Sequence, residues 1–185
     1  MNTRIVILAG GKGKRMQSKL PKVLVPLHGK PMLMHLLAAV QASLVDQKPV
    51  IVIGNGGDLV KKAAGENYAY VTQEQQLGTG HAVAIAMDTL KDACDAVIVL
   101  YGDQPFIKPE TIRQLRETHE ARHSAITMMT TTVPDFAGWR RPFYDFGRIK
   151  RNQIGEIVRI IEKKDASEED LRIRELNPSF FCFST

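Results

Sequence analysis

The chain of 185 residues is poor in cysteine, with two, and in tryptophan, with one. Cys94 and Cys182 cannot build a disulfide framework or a zinc cluster, which excludes a stapled secreted domain and a zinc-finger-like fold. Long apolar runs are missing too, and nothing approaches the roughly 18 consecutive apolar residues of a membrane helix. Met1-Asn2-Thr3-Arg4 leads straight into a strand pattern, without the apolar region and cleavage site of a secretory leader. These absences predict a soluble, cytoplasmic protein with no membrane partner. Internal repeats and low-complexity tracts are lacking. Nor does one sign of charge dominate: 25 Lys and Arg against 20 Asp and Glu leave a formal +5. That excess suits an anionic partner without choosing among nucleic acid, nucleotide and phosphosugar.

What is present is ordinary globular material, 44% hydrophobic and 24% charged. At this length a single core buries roughly 70% of the unfolded surface. Short continuous runs rich in Val and Ile predict buried strands at Arg4 to Ala9, Pro49 to Ile53, Tyr68 to Thr72, Ala96 to Tyr101 and Ala125 to Val133. Helical spacing predicts helices at Pro31 to Ala42, Asp58 to Ala64, Thr79 to Leu90 and Pro109 to His123. Strand alternating with helix implies βαβ units and a mostly parallel sheet with helices on both faces. After Pro134 the texture changes: glycine, arginine and aromatics crowd Phe136 to Phe146. Strand-like pieces follow at Gly147 to Lys150 and Gly155 to Ile161, then a charged stretch from Glu162 to Arg174, then an apolar run at Phe180 to Phe183. We therefore expect an α/β chain with a nucleotide-binding core over 1–133 and a less regular substrate-side portion over 134–185.

The densest local signal is Leu8-Ala9-Gly10-Gly11-Lys12-Gly13-Lys14-Arg15-Met16, followed by Leu20-Pro21-Lys22. Open α/β sheets bind ligands outside the carboxyl ends of their strands, where this loop falls. Glycines let backbone N–H groups reach phosphate oxygens, and Lys and Arg neutralise them. It is not a Walker A loop, because no register supplies G-x-x-x-x-G-K-[ST]. It is not a dinucleotide fingerprint either, since Met16 stands where a third glycine is needed. Ile53 is followed by Gly-Asn-Gly-Gly, so no acidic residue closes the second strand.

With Gln73-Glu74-Gln75-Gln76-Leu77-Gly78-Thr79-Gly80-His81-Ala82, Leu100-Tyr101-Gly102-Asp103, Gly147-Arg148-Ile149, Ile161-Glu162-Lys163-Lys164-Asp165-Ala166 and Glu175-Leu176-Asn177, this loop resembles the sugar-1-phosphate nucleotidyltransferases. Within them it is most similar to the uridylyltransferase domain of bacterial bifunctional enzymes that make UDP-N-acetylglucosamine. The resemblance implies a Rossmann-like nucleotidyltransferase sandwich with a mostly parallel central sheet and a small mixed β portion. It implies transfer of UMP from UTP to N-acetylglucosamine 1-phosphate, with Mg²⁺, in peptidoglycan-precursor synthesis. Another sugar phosphate or base, or a nucleotide-sugar-binding module, is the alternative.

The site residues follow from the same resemblance. Leu8, Ala9, Gly10, Gly11 and Gly13 hold the nucleotide, Arg15 neutralises the leaving pyrophosphate, and Lys22 holds phosphate oxygens. Lys14 departs from the family's usual threonine. Gln73 and Gly78 read uracil, joined at the nucleotide by Gln76 and by Thr79, which begins a helix. Asp103 holds the metal. Tyr101, Gly102, Gly147, Glu162 and Asn177 hold the sugar, although Pro178-Ser179 replaces the family's Thr-Gly after the asparagine, so a different backbone course is expected there. The chain stops at Thr185, before the segment carrying the family's second metal ligand, which implies UTP binding with poor turnover. The acetyltransferase half has no counterpart here, so no acetyl-CoA chemistry is expected.

Two patterns point elsewhere. His119-Glu120-Ala121-Arg122-His123 matches the H-E-x-x-H zinc helix, but no histidine follows to complete the ligand set. Trp139-Arg140-Arg141-Pro142-Phe143 has the Arg-aromatic texture of a nucleic-acid contact, yet it is short and single, and a substrate-side loop explains it better.

Overall fold

The computed structural model describes residues 1–11, 18, 20–90 and 94–185. The described strands are β1 (Thr3–Leu8), β2 (Pro26–Leu27), β3 (Lys30–Pro31), β4 (Val50–Ile53), β5 (Ala69–Thr72), β6 (Ala96–Tyr101), β7 (Ile126–Met128), β8 (Thr131–Thr132), β9 (Gly147–Arg151), β10 (Ile157–Ile161), β11 (Glu175–Asn177) and β12 (Phe181–Ser184). The α-helices are α1 (Met32–Ser43), α2 (Gly57–Ala64), α3 (Thr79–Leu90) and α4 (Pro109–Arg122). None is long and apolar enough to cross a membrane. The chain forms two compact units, Met1–Thr127 with Phe181–Thr185, and Met128–Phe180.

The first unit is built on a six-stranded sheet in the order β5-β4-β1-β6-β12-β7. Its β1–β4, β1–β6 and β4–β5 pairings are parallel, and β12 adds antiparallel to β6. Such a sheet is covered on both faces, which is why its central strands are continuous Val and Ile runs. Val6, Val50, Val52, Val97 and Val99 pack with Ala82, Ala86 and Leu90 of α3. The alternate residues Ile5, Ile7, Ile51, Ile98 and Leu100 face the other way by the strand period and are equally buried. The apolar stripes of α1 (Leu33, Leu36, Leu37) and α4 (Ile112, Leu115) are also buried. Cys182 lies in this interior, where burial pushes its thiol up to about 12, and burial also raises the half-buried Cys94. Both are packing residues.

The second unit is a four-stranded sheet, β10-β9-β11-β8. Its pairings are antiparallel rather than mixed, and the short connection from β9 to β10 is the kind that closes an antiparallel hairpin. The apolar run Ala125 to Val133, which we expected as one strand, is divided. Its first part joins the first sheet as β7 and its second part joins the other as β8. The last strand, expected in the substrate-side portion, returns to the first sheet beside β6.

Candidate functional site

The strand order brings the glycine loop to its place. The chain adds β4 and then β5 on one side of β1 before β6 joins the other side, so the direction of winding reverses between β1 and β6. Ligands of open α/β sheets bind at such a reversal, beyond the carboxyl ends of the strands. A cavity of about 290 Å³ opens there in the first unit. Its lining contains Leu8, Gly10, Gly11, Lys22, Gln73, Gln76, Gly78, Thr79, Tyr101 and Asp103. Motif segments far apart in sequence thus meet at one site.

Backbone-to-backbone packing shapes its floor. Ala9 N–H donates to Val52 O at 2.7 Å, and Gly102 N–H to Leu8 O at 2.9 Å. A Cβ on Gly102 would lie 2.9 Å from Val23 Cγ1 and 3.2 Å from Leu8 O. Gly102 therefore acts through close approach beneath the site. Gly54 is as tight, and against backbone, since a Cβ there would meet Gly10 O at 2.9 Å and Gln76 Nε2 at 3.1 Å. The Gln76 amide packs into the same junction, with Nε2 donating to Gly10 O at 2.6 Å. Gly11 has nothing within 4 Å of such a Cβ, leaving its backbone open to a ligand.

Lys22 opens a short 3₁₀ turn after Pro21, and its Nζ donates to Asp103 Oδ2. The expected phosphate cation and the expected metal carboxylate therefore neutralise one another. Asp103 follows β6 and lines the cavity. A single accessible carboxylate fits Mg²⁺, which takes one or two protein carboxylates and completes its octahedron with phosphate and water oxygens. Among the described residues no cluster of three or more His, Cys, Asp or Glu forms a protein-only metal cage.

At the other wall Gln73 is buried, with 7% exposure, and its backbone N–H donates to Ile53 O at 2.8 Å. Its Nε2 donates to Gly78 O at 3.0 Å and faces His81 Nδ1 at 3.1 Å. Gly78 has φ +109°, a left-handed turn that favours glycine, and it directly precedes α3. Thr79 begins α3 as expected, so the positive end of that helix faces the cavity.

Gly147, Glu162 and Asn177 lie together within the second unit. Asn177 pairs with Gly147 across β11 and β9, and a Cβ on Gly147 would press on Glu162 Oε1 at 3.1 Å. Ser179, at the position of the family's glycine, holds φ +66°, and its N–H donates to Asn177 Oδ1 at 2.8 Å. This left-handed turn is made without glycine. Gly13, Arg15 and Lys14 lie outside the described residues.

The patterns pointing elsewhere are absorbed by packing. His119 is buried, its Nδ1 is 2.8 Å from Thr127 Oγ1 and its Nε2 3.1 Å from Ser184 Oγ. With both ring nitrogens engaged by hydroxyls, it has no lone pair for zinc. His123 caps α4 with left-handed backbone. Arg140 clamps Asp135 through Nε at 2.8 Å and Nη2 at 2.7 Å, which leaves less of its fork for a nucleic-acid phosphate.

Sequence reasoning missed Gly54 and His81. In the sequence the run Gly54-Asn55-Gly56-Gly57 stands out only for the acidic residue it lacks. A second glycine cluster at a strand's carboxyl end was itself a signal of close backbone approach.

The family model described as "MobA-like NTP transferase domain" matches residues 5–159. The "Bifunctional protein GlmU" of Brevibacillus brevis is 44% identical over 178 residues, which are 96% of this chain and 37% of that protein. The protein of the same name from Alcanivorax borkumensis is 46% identical over 185 residues, 100% of this chain and 38% of its own length. The chain thus spans under two fifths of the curated relatives it matches. Among solved structures, a UDP-glucose pyrophosphorylase complexed with UDP-glucose superposes with a TM-score of 0.80 at 16% identity. That match covers 100% of this chain and 76% of the other, a likeness of fold.

Proposed function

The chain belongs to the MobA-like NTP transferase domain family, and from that premise we propose that it is a nucleotidyltransferase that moves UMP from UTP to N-acetylglucosamine 1-phosphate. A phosphate oxygen of the sugar phosphate forms a bond to the α-phosphorus. The bond from that phosphorus to the bridging oxygen breaks, and pyrophosphate leaves with the electron pair. The nucleophile is already an anion near neutral pH, so no general base is needed, and the protein supplies alignment and charge neutralisation. The observation that carries this reading is the convergence of Gly10, Gly11, Lys22, Gln73, Gly78 and Asp103 on one cavity at the sheet's reversal.

In this reading the open backbone at Gly11 and the first turn of α3 meet the triphosphate. Lys22 holds oxygens at the reacting phosphorus, and Arg15 is carried over from the sequence resemblance as the cation for pyrophosphate. Bound Mg²⁺ would draw charge from the triphosphate, with Asp103 as its protein ligand. Lys22 and Asp103 must then exchange each other for phosphate and metal. Tyr101 lines the same cavity and, by the resemblance, would hold the sugar; within the second unit Gly147, Glu162 and Asn177 offer a close backbone, a carboxylate and an amide, groups suited to sugar hydroxyls and an acetamido group.

Pyrophosphate release, measured with Mg²⁺ across the common nucleoside triphosphates and a panel of sugar 1-phosphates, tests the proposal. Release with UTP and N-acetylglucosamine 1-phosphate at least tenfold above every other pair is expected. Equal or greater release with another pair would reassign the substrate, and no release with any pair would leave a binding module.

A further inference from the structure

The base-reading amide has only one way to face. Gly78 O can accept a hydrogen bond and cannot donate one, so the Gln73 group 3.0 Å from it is the NH₂. The second amide hydrogen then points at His81 Nδ1, 3.1 Å away. That nitrogen must carry a lone pair, which puts the neutral ring's hydrogen on Nε2. With both hydrogens committed, and no donor among the described residues meeting it, the Gln73 oxygen is what remains for a ligand. One bond alone would leave the amide plane free to turn, because the last torsion of glutamine is broad. The second bond fixes the plane, and Gln73 is buried enough that a loose N–H would be costly.

We propose that His81 is a specificity-determining positioning residue. It locks the Gln73 amide so that only an acceptor faces the base, which selects an imide N–H and disfavours a ring nitrogen acceptor in the same place. Uracil carries N3–H there and cytosine a bare N3, so the lock favours UTP over CTP. The inference rests on Gln73 reading the base, as proposed above. His81 acts through Gln73 and need not touch the nucleotide.

Dissociation constants for UTP and CTP, measured calorimetrically with Mg²⁺ on the full chain, test it. The unmodified protein should prefer UTP. His81→Phe keeps ring volume without the acceptor and should cut the UTP/CTP preference about tenfold, the worth of one lost buried hydrogen bond. His81→Asn places an oxygen near the position of Nδ1 and should restore the preference to within threefold. In the unmodified protein, the ¹⁵N shifts of the His81 ring should report a bare Nδ1 and a protonated Nε2. A UTP preference in the unmodified protein that survives His81→Phe overturns this inference and leaves the base reading intact. No UTP preference in the unmodified protein overturns the Gln73 reading, and this inference with it. If His81→Phe fails to fold, His81→Ala carries the same comparison, and an Nδ1–H tautomer overturns the lock whatever the variants do.

Discussion

Lys22 holds its ammonium against Asp103 across 81 positions of sequence. In the proposed reaction that ammonium meets phosphate oxygens instead, through charge-assisted contacts worth about 1.5–3 kcal/mol. Lys22→Ala should therefore lower turnover about 10- to 150-fold. The melting temperature should change little, because a partly exposed ion pair contributes at most about 1 kcal/mol. Steady-state rates beside a thermal melt check both, and turnover within threefold of the parent would remove Lys22 from the site. That Lys22 is a candidate for the site was legible from Leu20-Pro21-Lys22 following a glycine loop, and it lines the cavity. That its partner is Asp103 was not, because side-chain pairing across distant segments has no local signature. Gln73 shows the same division: its type suits a nucleobase, but its orientation depends on His81 and Gly78, which the sequence presents only as a helix start.

The loops after β1 and β4 meet backbone to backbone at Gly10 and Gly54. A methyl group on Gly54 would sit 2.9 Å from Gly10 O and 3.2 Å from Gly10 Cα, atoms that cannot rotate away. Gly54→Ala should push the loops apart, costing about 1–3 kcal/mol of stability and weakening UTP binding. Gly11→Ala meets nothing within 4 Å and should leave the free protein's melt unchanged. Thermal melts of the two variants in the absence of nucleotide decide it; equal melts would mean the loops are not in contact. The buried strands and the main helices were readable because continuous β-branched runs and helical stripes are local patterns. The hairpin of β2 and β3 escaped, being two residues a side around His28-Gly29, which turn with φ 49° and 77°. β11 escaped because it is only three residues long and directly follows a charged stretch. The division of Ala125 to Val133 between two sheets follows from which neighbours each half finds.

His119 ties together parts of the first unit that lie far apart in sequence, standing between Thr127 and Ser184. Burial pushes its pKa below the ordinary 6.5. The unfolded chain therefore takes up the proton more readily, so the His119 contribution is intact above about pH 6.5 and is lost as pH falls below it. Urea midpoints should drop between pH 7.5 and 5.5 on a ~0.5-unit grid, and His119→Gln should flatten that slope. Parallel slopes for parent and variant would show that His119 does not control it. The motif H-E-x-x-H was visible in the chain, but its use as packing depended on where the last strand returns. Length, composition and strand–helix alternation were enough to establish an α/β fold and to point to the carboxyl ends of its strands as the candidate site, because burial and glycine chemistry act within a few residues. The grip of His81 on Gln73 spans only the turn into α3, whereas the pairing of Lys22 with Asp103 and the abutment of Gly10 on Gly54 came with the strand order. Only after β1 is flanked by β4 and β6 do segments tens of residues apart come within reach of a hydrogen bond.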